Sequence, residues 1–208
     1  MIDSIHNGSV RHFLLTDLVY IHSARRPKRV DDIPFEGSLP YVDIHTLESG
    51  LPSKYAEGKD FVLEEKDLVM VKDGHRSGKV FHAQRGVAAS TLTILSPKSD
   101  RVQIDYIYCY LAYCYEDFQS RKRGSTIAHL DMNYLKRLLI PLPDVAKQKE
   151  IAEKYNRLEL LVKELKTKAL SLAELSQKLG SSELKERCNN LAQQGEMILQ
   201  SWLHQVFN

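Results

Sequence analysis

Residues 138–144, Leu-Leu-Ile-Pro-Leu-Pro-Asp, decide how this 208-residue chain is organised. The first three form a short apolar run typical of a β-strand, whereas Pro141 and Pro143 cannot donate hydrogen bonds to a neighbouring strand. Asp144 is a common helix start, and the segment Lys-Gln-Lys-Glu-Ile-Ala follows at 147–152. The sequence therefore predicts a boundary near residue 144, with a compact domain at 1–143 and a helical region at 144–208.

The first 143 residues have the pattern of a mixed α+β domain. Residues 11–22 predict a short strand or a turn of helix, and apolar residues at helical spacing predict a helix over 104–118. Turns are predicted at Asp73-Gly74 and Arg85-Gly86. Four segments rich in Val, Ile, Thr and Tyr and bounded by Gly, Asp or Pro predict strands at 41–44, 67–72, 79–82 and 87–95.

The last third of the chain has a seven-residue apolar repeat typical of a coiled-coil seam. Its first segment alone would be about 50 Å long, so its own domain cannot cover it wholly. Gly180-Ser-Ser182 predicts a break, which leaves either an antiparallel hairpin or one kinked rod. We predict that helices pair, within a hairpin or with a partner, through Ile151, Leu158, Val162, Leu165, Leu172, Leu179, Leu184, Leu191 and Ile198.

The charge total does not indicate a nucleic-acid-binding protein, since 29 Lys and Arg residues against 27 Asp and Glu residues leave a net charge of +2. Binding depends on where charges cluster rather than on their sum. Three cysteines form no paired framework, and the N-terminus has no basic-then-apolar signal pattern. No apolar run approaches the roughly 18 to 20 residues that cross a bilayer. We therefore expect a soluble, cytoplasmic protein without a membrane partner.

Three basic clusters contain the candidate DNA-binding residues, because Lys and Arg bind phosphates and Arg can read guanine edges in the major groove. A charged loop is more often simply solvated, so each cluster taken alone favours that simpler interpretation. The candidates are Arg25, Arg26, Lys28 and Arg29 in the first cluster, Lys72, His75, Arg76 and Lys79 in the second, and Arg121, Lys122 and Arg123 in the third.

The enzymatic patterns in the chain are weak. Residues 74–79 resemble a phosphate-binding loop, but the glycines are one residue too close and Val80 replaces the Ser or Thr that would hold Mg²⁺. Asp144 with Glu164 and Lys166 matches a nuclease pattern, yet residues two apart in a helix point in different directions. The histidines and cysteines lack zinc-ligand spacing. The sequence predicts neither a catalytic site nor a metal site.

A family resemblance rests on the order of several motifs. Gly-Ser-Thr-Ile-Ala-His-Leu at 124–130, the apolar-Pro-Leu-Pro exit at 140–143 and the Gln-x-x-Ile-Ala helix start at 148–152 follow one another. In this order they resemble one target-recognition domain and one spacer helix of the specificity subunit of type I restriction-modification systems. Further segments similar to the family lie at 39–43, 67–74, 78–80 and 198–207.

The chain departs from the family pattern in three respects. Lys147 stands where the family usually has Glu, and the Gly-x-Leu that often follows the terminal Phe is missing after Phe207. A full specificity subunit also has two recognition domains and two spacer helices, whereas this chain holds one of each. The resemblance therefore implies a half-subunit.

The resemblance implies a non-catalytic subunit that recognises double-stranded DNA sequence-specifically through the three basic clusters. Its expected partners are a methyltransferase subunit that uses S-adenosylmethionine and a restriction subunit that uses ATP and Mg²⁺, so the chain itself needs no cofactor. Two copies, or this half and a different half, would pair through the helices and favour a bipartite inverted-repeat site. His129 has two open roles, a structural one in its loop and a contact to DNA. The alternative is a helical interaction or regulatory protein that docks on methyltransferase subunits without binding DNA.

Overall fold

The computed structural model describes residues 10–122 and 128–208, and it contains a compact unit of residues 11–142 and a second unit that includes residues 143–208. The predicted α+β class with a long helical C-terminal region is confirmed. The strands are β1 (Arg11–Leu14), β2 (Val19–Ser23), β3 (Val30–Asp31), β4 (Ser38–Val42), β5 (Tyr55–Glu57), β6 (Val62–Leu63), β7 (Leu68–Val71), β8 (Val80–His82), β9 (Gly86–Ala88), β10 (Leu92–Pro97) and β11 (Leu139–Leu142). The helices are α1 (Leu15–Leu18), α2 (Ile44–Ser49), α3 (Ile104–Tyr113), α4 (Tyr115–Ser120), α5 (Met132–Lys136), α6 (Val145–Lys178) and α7 (Ser182–Phe207).

The strands form three sheets. β1 pairs with β11, β2-β10-β7-β8 form an antiparallel four-stranded sheet in that order, and β3-β5-β4-β9-β6 form a five-stranded sheet. In the five-stranded sheet β4 and β9 run parallel. Side chains from the two larger sheets share one core cluster, so both sheets bury apolar surface against each other. Its buried strand members are Val42, Leu63, Val69, Val71, Ala88, Leu92 and Ile94.

Several predicted elements differ from the observed ones. Residues 11–22 form β1, α1 and most of β2, and the strand predicted at 41–44 ends at Val42 because α2 begins at Ile44. The strand predicted at 87–95 is divided into β9 and β10, because the backbone turns between them. The helix predicted at 104–118 is divided into α3 and α4 at Cys114. The strand predicted at 138–140 is β11, which begins one residue later and includes Pro141. A strand with a single neighbour tolerates this proline, since one side of it needs no hydrogen-bond donor.

The helical unit is an antiparallel hairpin rather than one kinked rod. The Asp144 carboxylate accepts a hydrogen bond from Lys147 N at 2.9 Å and caps α6, whose 34 residues span about 51 Å. Gly180 adopts a φ of 75°, which favours glycine, and the chain then turns back into α7. Lys166 on α6 forms an ion pair with Glu196 on α7. No helix in the part of the chain that the structure describes is long and apolar enough to cross a membrane.

Small residues form much of the inner seam of the hairpin. A Cβ added to Gly195 would lie 3.3 Å from side-chain carbons of Leu165 and Val162, so the two helices approach closely there. The small buried residues are Ala169, Ala173 and Ser176 on α6 and Cys188, Ala192 and Gly195 on α7. Among the predicted pairing residues Ile151 is buried and Leu158, Val162 and Leu165 are half-buried, whereas Leu172, Leu179, Leu184, Leu191 and Ile198 are exposed. The pairing of the exposed residues with another helix stays a prediction.

Candidate nucleic-acid interface

The first two basic clusters lie in loops that follow strands at the same end of the four-stranded sheet. Ala24, the residue after β2, donates its backbone N–H to the carbonyl of Leu92 at 3.2 Å. Lys72, the residue after β7, donates its backbone N–H to the carbonyl of Thr91 at 2.7 Å. Because Thr91, just before β10, and Leu92, its first residue, accept these two bonds, the loops that follow β2 and β7 begin side by side.

Three cations of the first cluster take part in none of the salt bridges between described residues. Arg25, Arg26 and Lys28 are exposed, and none forms a salt bridge with a carboxylate in the described residues. Arg29 differs, since its Nε lies 2.7 Å from the Asp31 carboxylate and its guanidinium lies 3.9 Å from the centre of the Phe35 ring. A cation without a partner can bind a phosphate without first breaking an ion pair. The three unpaired cations are therefore the most available phosphate ligands of this cluster.

The first cluster also borders a cavity of about 370 Å³. The turn between β5 and β6 also lines this cavity, through residues that include Lys59 and Phe61. Neither residue belongs to a charge cluster or motif in the sequence, so only the fold places them beside the basic loop.

Carboxylates and carbonyl groups hold most of the second cluster in place. Glu48 of α2 forms an ion pair with Arg76 and another with Lys79, whose Nζ lies 3.3 Å from Glu48 Oε1. Lys72 Nζ donates to a backbone carbonyl in the turn before β10 at 2.9 Å. Arg76 Nε donates to His75 Nε2 at 3.2 Å. These contacts orient the cations and reduce the charge that they offer to a phosphate.

The third cluster lies against the second. Lys122 Nζ donates to the carbonyl of His75 at 2.5 Å, and Gln119 Nε2 donates to the carbonyl of Ser77 at 2.6 Å. The segment around α4 therefore contacts the loop between β7 and β8, which carries the second cluster. Arg123, the last member of the third cluster, lies outside the described residues.

Arg121 is held by two side chains. Its Nε lies 2.9 Å from Asp117 Oδ1, and its guanidinium lies 4.4 Å from the centre of the Tyr134 ring. Tyr134 also donates its hydroxyl hydrogen to Asp117. Burial, followed by this bond to the carboxylate, raises the pKa of Tyr134 to about 12. Tyr134 therefore stays protonated well above physiological pH, and its contacts with Asp117 and Arg121 help to orient the guanidinium.

His129, from the motif shared with the family, is tied to the turn after β7. Its Nδ1 lies 2.7 Å from Asp73 Oδ1, and two backbone hydrogen bonds of 2.8 Å join residues 72–74 to residues 128–130. These contacts support the structural role that the sequence left open. The imidazole is 52% exposed, so its contact with DNA stays a prediction. The motif residues 124–127 lie outside the described residues.

No group of three or more His, Cys, Asp or Glu side chains suited to a metal ion occurs in the described part of the chain. The ring centres of His82 and Tyr108 are 4.2 Å apart, and His82 Nδ1 lies 3.7 Å from the Asp105 carboxylate. Cys109 and Cys114 are buried, and burial raises the pKa of the Cys114 thiol to about 12. A thiol with so high a pKa is a poor nucleophile at neutral pH.

The acidic partners of the cations were missed by sequence reasoning. Glu48 lies 31 residues before Lys79, and nothing in the sequence indicates that the two side chains meet. Asp117 could have been identified from the sequence. It lies at the end of the predicted helix 104–118 and four residues before Arg121, a spacing that favours ion pairs.

Comparisons with known proteins agree on one family. The model of the type I restriction modification DNA specificity domain matches residues 9–174. A curated relative is the specificity subunit of the type I restriction enzyme MjaVIII from Methanocaldococcus jannaschii. It is 27% identical over 139 residues, which make up 66% of this chain and 33% of that protein.

Solved structures share the fold. The HsdS subunit from Thermoanaerobacter tengcongensis matches with a TM-score of 0.61 and 17% identity, over 94% of this chain and 46% of that one. The type I restriction-modification S subunit from M. genitalium matches with a TM-score of 0.53 and 19% identity, over 84% of this chain and 45% of that one. The chain thus spans a third of the curated relative and under half of each of these structures.

The family match includes residues 11–142, which form the β-rich unit, and most of α6. It confirms the resemblance found in the sequence motifs. Specificity subunits of these systems recognise DNA and are not catalytic, which agrees with the prediction that this chain is not an enzyme. Since the match covers well over half of its length, the chain belongs to the type I restriction-modification DNA specificity domain family.

Proposed function

We propose that this chain recognises double-stranded DNA sequence-specifically as the specificity subunit of a type I restriction-modification complex. The observation that carries the proposal is the gathering of three basic clusters from separate stretches of sequence. The loops after β2 and β7 begin side by side, and Lys122 joins the third cluster to His75 of the second. Unpaired cations suit phosphates, and oriented guanidinium groups suit base edges.

The helical hairpin would supply the pairing surface of the complex. Leu172, Leu175 and Leu179 on α6, and Leu191 and Ile198 on α7, are each at least 43% exposed. At 3.6 residues per turn, the exposed residues of each helix lie roughly 80° around the helix axis from the inner seam. The direction of this rotation is the same for both helices when each is followed from its N-terminus. In an antiparallel pair this shared direction puts both sets of exposed residues on one side of the hairpin. An exposed apolar strip of this kind favours contact with another protein.

A second copy of the chain is the proposed occupant of this apolar strip. Two hairpins joined there would form a four-helix bundle and would relate two recognition domains by a two-fold axis. A dimer of this kind should prefer a bipartite inverted repeat with a non-specific spacer. The length of α6, about 51 Å, favours half-sites separated by about one to one and a half turns of DNA, at ~34 Å per turn. A different half-subunit would fit the same geometry.

In this proposal the chemistry belongs to partner subunits. A methyltransferase subunit would use S-adenosylmethionine, and a restriction subunit would use ATP and Mg²⁺, both directed by this chain to their site in the cytoplasm. The chain itself would need no cofactor, since its role is to bind and to position.

The exposed apolar strip also favours the second candidate function, a helical protein that docks on methyltransferase subunits and does not bind DNA. The two functions differ in their dependence on salt. Phosphate contacts release counterions, so DNA binding weakens steeply as salt rises, whereas apolar docking does not.

The deciding experiment is selection of duplexes from a random DNA pool by the purified chain, alone and with the methyltransferase subunit. We expect enrichment of a bipartite inverted repeat in at least one of the two selections. A variant with Arg25, Arg26 and Lys28 replaced by Gln should lose the enrichment while keeping its circular dichroism spectrum. The absence of any enriched motif in both selections would contradict DNA recognition and favour the docking protein.

A further inference from the structure

The cavity beside the first cluster differs in shape from a surface that binds a double helix. Its volume of about 370 Å³ lies at the lower end of the ~300–1,000 Å³ of small-ligand pockets. Duplex DNA is read by loops, helices or strands that protrude into its grooves, not by a concave pocket of this size. A pocket can instead admit a single nucleotide whose base is not paired.

The lining of the cavity is positively charged. The lining contains four cations, Arg25, Arg26, Lys28 and Lys59, and two carboxylates. Its formal net charge is therefore +2, as large as that of the whole chain. One of the carboxylates, Glu57, lies 2.5 Å from Lys59 Nζ.

Neighbouring cations compensate the negative charge of Glu57. Its hydrogen bond and charge interaction with Lys59 lower the pKa of the Glu57 carboxyl, and the charges of Lys28 and Arg29 lower it further. Because Lys59 neutralises Glu57, the cations of the basic loop remain available to an anion. A phosphate group is the anion that such a group of Arg and Lys side chains suits best.

Phe61 is the only aromatic residue in the lining. Its φ of 53° makes it the one non-glycine residue with a positive φ among the described residues. The backbone is fixed there by a 3.0 Å hydrogen bond from Ala88 N to the carbonyl of Phe61, and the half-buried ring packs partly on the core cluster. A residue retained in this unfavourable conformation is often part of a ligand site. An aromatic ring also offers a surface on which any base can stack.

We propose that this cavity binds an unpaired nucleotide, with the base against Phe61 and the phosphate among Arg25, Arg26 and Lys28. The proposal rests on the proposed DNA-recognition function and deepens it. The nucleotide belongs either to a DNA strand that is locally unpaired at the site or to the free nucleotide pool, since both offer the same base and phosphate.

The test compares three 5′-labelled DNAs by fluorescence anisotropy at low salt, namely a perfect duplex, the same duplex with one bulged thymidine, and a single strand. Phe61→Leu keeps an apolar side chain but removes the aromatic face, whereas Phe61→Tyr keeps that face. Tyr20→Leu is the matched control, because Tyr20 is 53% exposed on β2 and does not line the cavity.

The intact chain should bind the bulged duplex about tenfold more tightly than the perfect one, the size of effect typical of one stacked base. Phe61→Leu should lose this preference and keep its affinity for the perfect duplex, while Phe61→Tyr and Tyr20→Leu retain both. Photo-crosslinking of the intact chain to a bulged 5-iododeoxyuridine should attach the base to Phe61, which tests the site without any substitution. Competition by millimolar dTMP separates the sources, since displacement of the bulged DNA indicates that free nucleotides also bind.

Two results would overturn the nucleotide pocket and leave DNA recognition standing. One is equal affinity of the intact chain for the bulged and perfect duplexes, and the other is a preference that survives in Phe61→Leu with no crosslink at Phe61. The reverse result, binding of dTMP that depends on Phe61 without any binding of duplex DNA, would keep the pocket and remove the proposed function.

Discussion

Removing the three unpaired cations of the first cluster should weaken the salt dependence of DNA binding by a calculable amount. Each phosphate neutralised by a protein contributes about −0.9 to the slope of log K against log salt. Replacing Arg25, Arg26 and Lys28 by Gln removes three exposed cations that have no salt bridge to a carboxylate in the described residues. If each of these cations contacts one phosphate, the slope of the variant becomes less negative by about 2.7 units. Between 50 and 200 mM salt the variant should then lose about 40-fold less affinity than the unmodified chain loses.

The assay is fluorescence anisotropy of a labelled duplex at several salt concentrations, with circular dichroism to verify folding. A charge-matched control replaces Lys163, Lys168 and Lys178 on α6 by Gln, which lowers the net charge equally but changes only exposed side chains of the hairpin. We expect the control to keep the slope of the unmodified chain within about one unit. An unchanged slope in the first variant, or an equal loss in the control, would refute the assignment of the phosphate contacts to the first cluster.

Three further predictions concern association, stability and pH. Leu172→Glu with Leu191→Glu should prevent self-association in analytical ultracentrifugation without loss of helicity, whereas Leu170→Glu, on the side of α6 opposite the apolar strip, should not. A dimer unaffected by the double substitution would remove the apolar strip as the pairing surface. Gly86→Ala should destabilise the β-rich unit by about 3 kcal/mol in urea unfolding, because the new Cβ would overlap β4; a change below about 1 kcal/mol would contradict this. Burial raises the pKa of Cys114 to about 12 from 9.0, so the thiol of the unfolded chain loses its proton at a lower pH than the thiol of the folded chain. The free energy of unfolding should therefore fall as pH rises from about 9 towards 12, by up to about 1.4 kcal/mol per pH unit. Cys114→Ala should reduce that slope in urea titrations, and an identical slope would show that other groups cause it.

The sequence predicted the helices better than it predicted how they pack. Heptad positions correctly indicated a long helix, a break and a second helix, because leucine spacing reports helical periodicity. It did not indicate which side of each helix faces the other. Within the hairpin, close approach favours small residues such as Ala169 and Gly195, and bulky residues such as Leu172 and Leu179 are left on the outside. That choice depends on the distance between helices, which residue spacing alone does not fix.

The candidate site was predicted as a set of charge runs and not as an arrangement. Runs such as 24–29 are visible in the sequence because their members are adjacent. Their acidic partners are not, since Glu48 reaches Arg76 and Lys79 only after α2 and the β7–β8 loop are brought together. The positive φ of Phe61 is equally invisible, because an aromatic residue is a poor candidate for that conformation. Contacts between distant residues therefore had to come from the fold.

The difference between paired and unpaired cations suggests a division of work within the interface. An exposed side chain such as Arg25, which has no salt bridge in the described residues, can follow a phosphate in DNA of any sequence, and its contact therefore adds little specificity. Arg121 lies between Asp117 and the Tyr134 ring, so part of its conformational freedom is already lost before DNA binds. A guanidinium held in this way discriminates between base edges better than a freely rotating one, because it cannot change rotamer to form hydrogen bonds with a wrong base. We therefore expect the first cluster to supply most of the affinity and the fixed arginines, Arg76 among them, to supply most of the sequence preference.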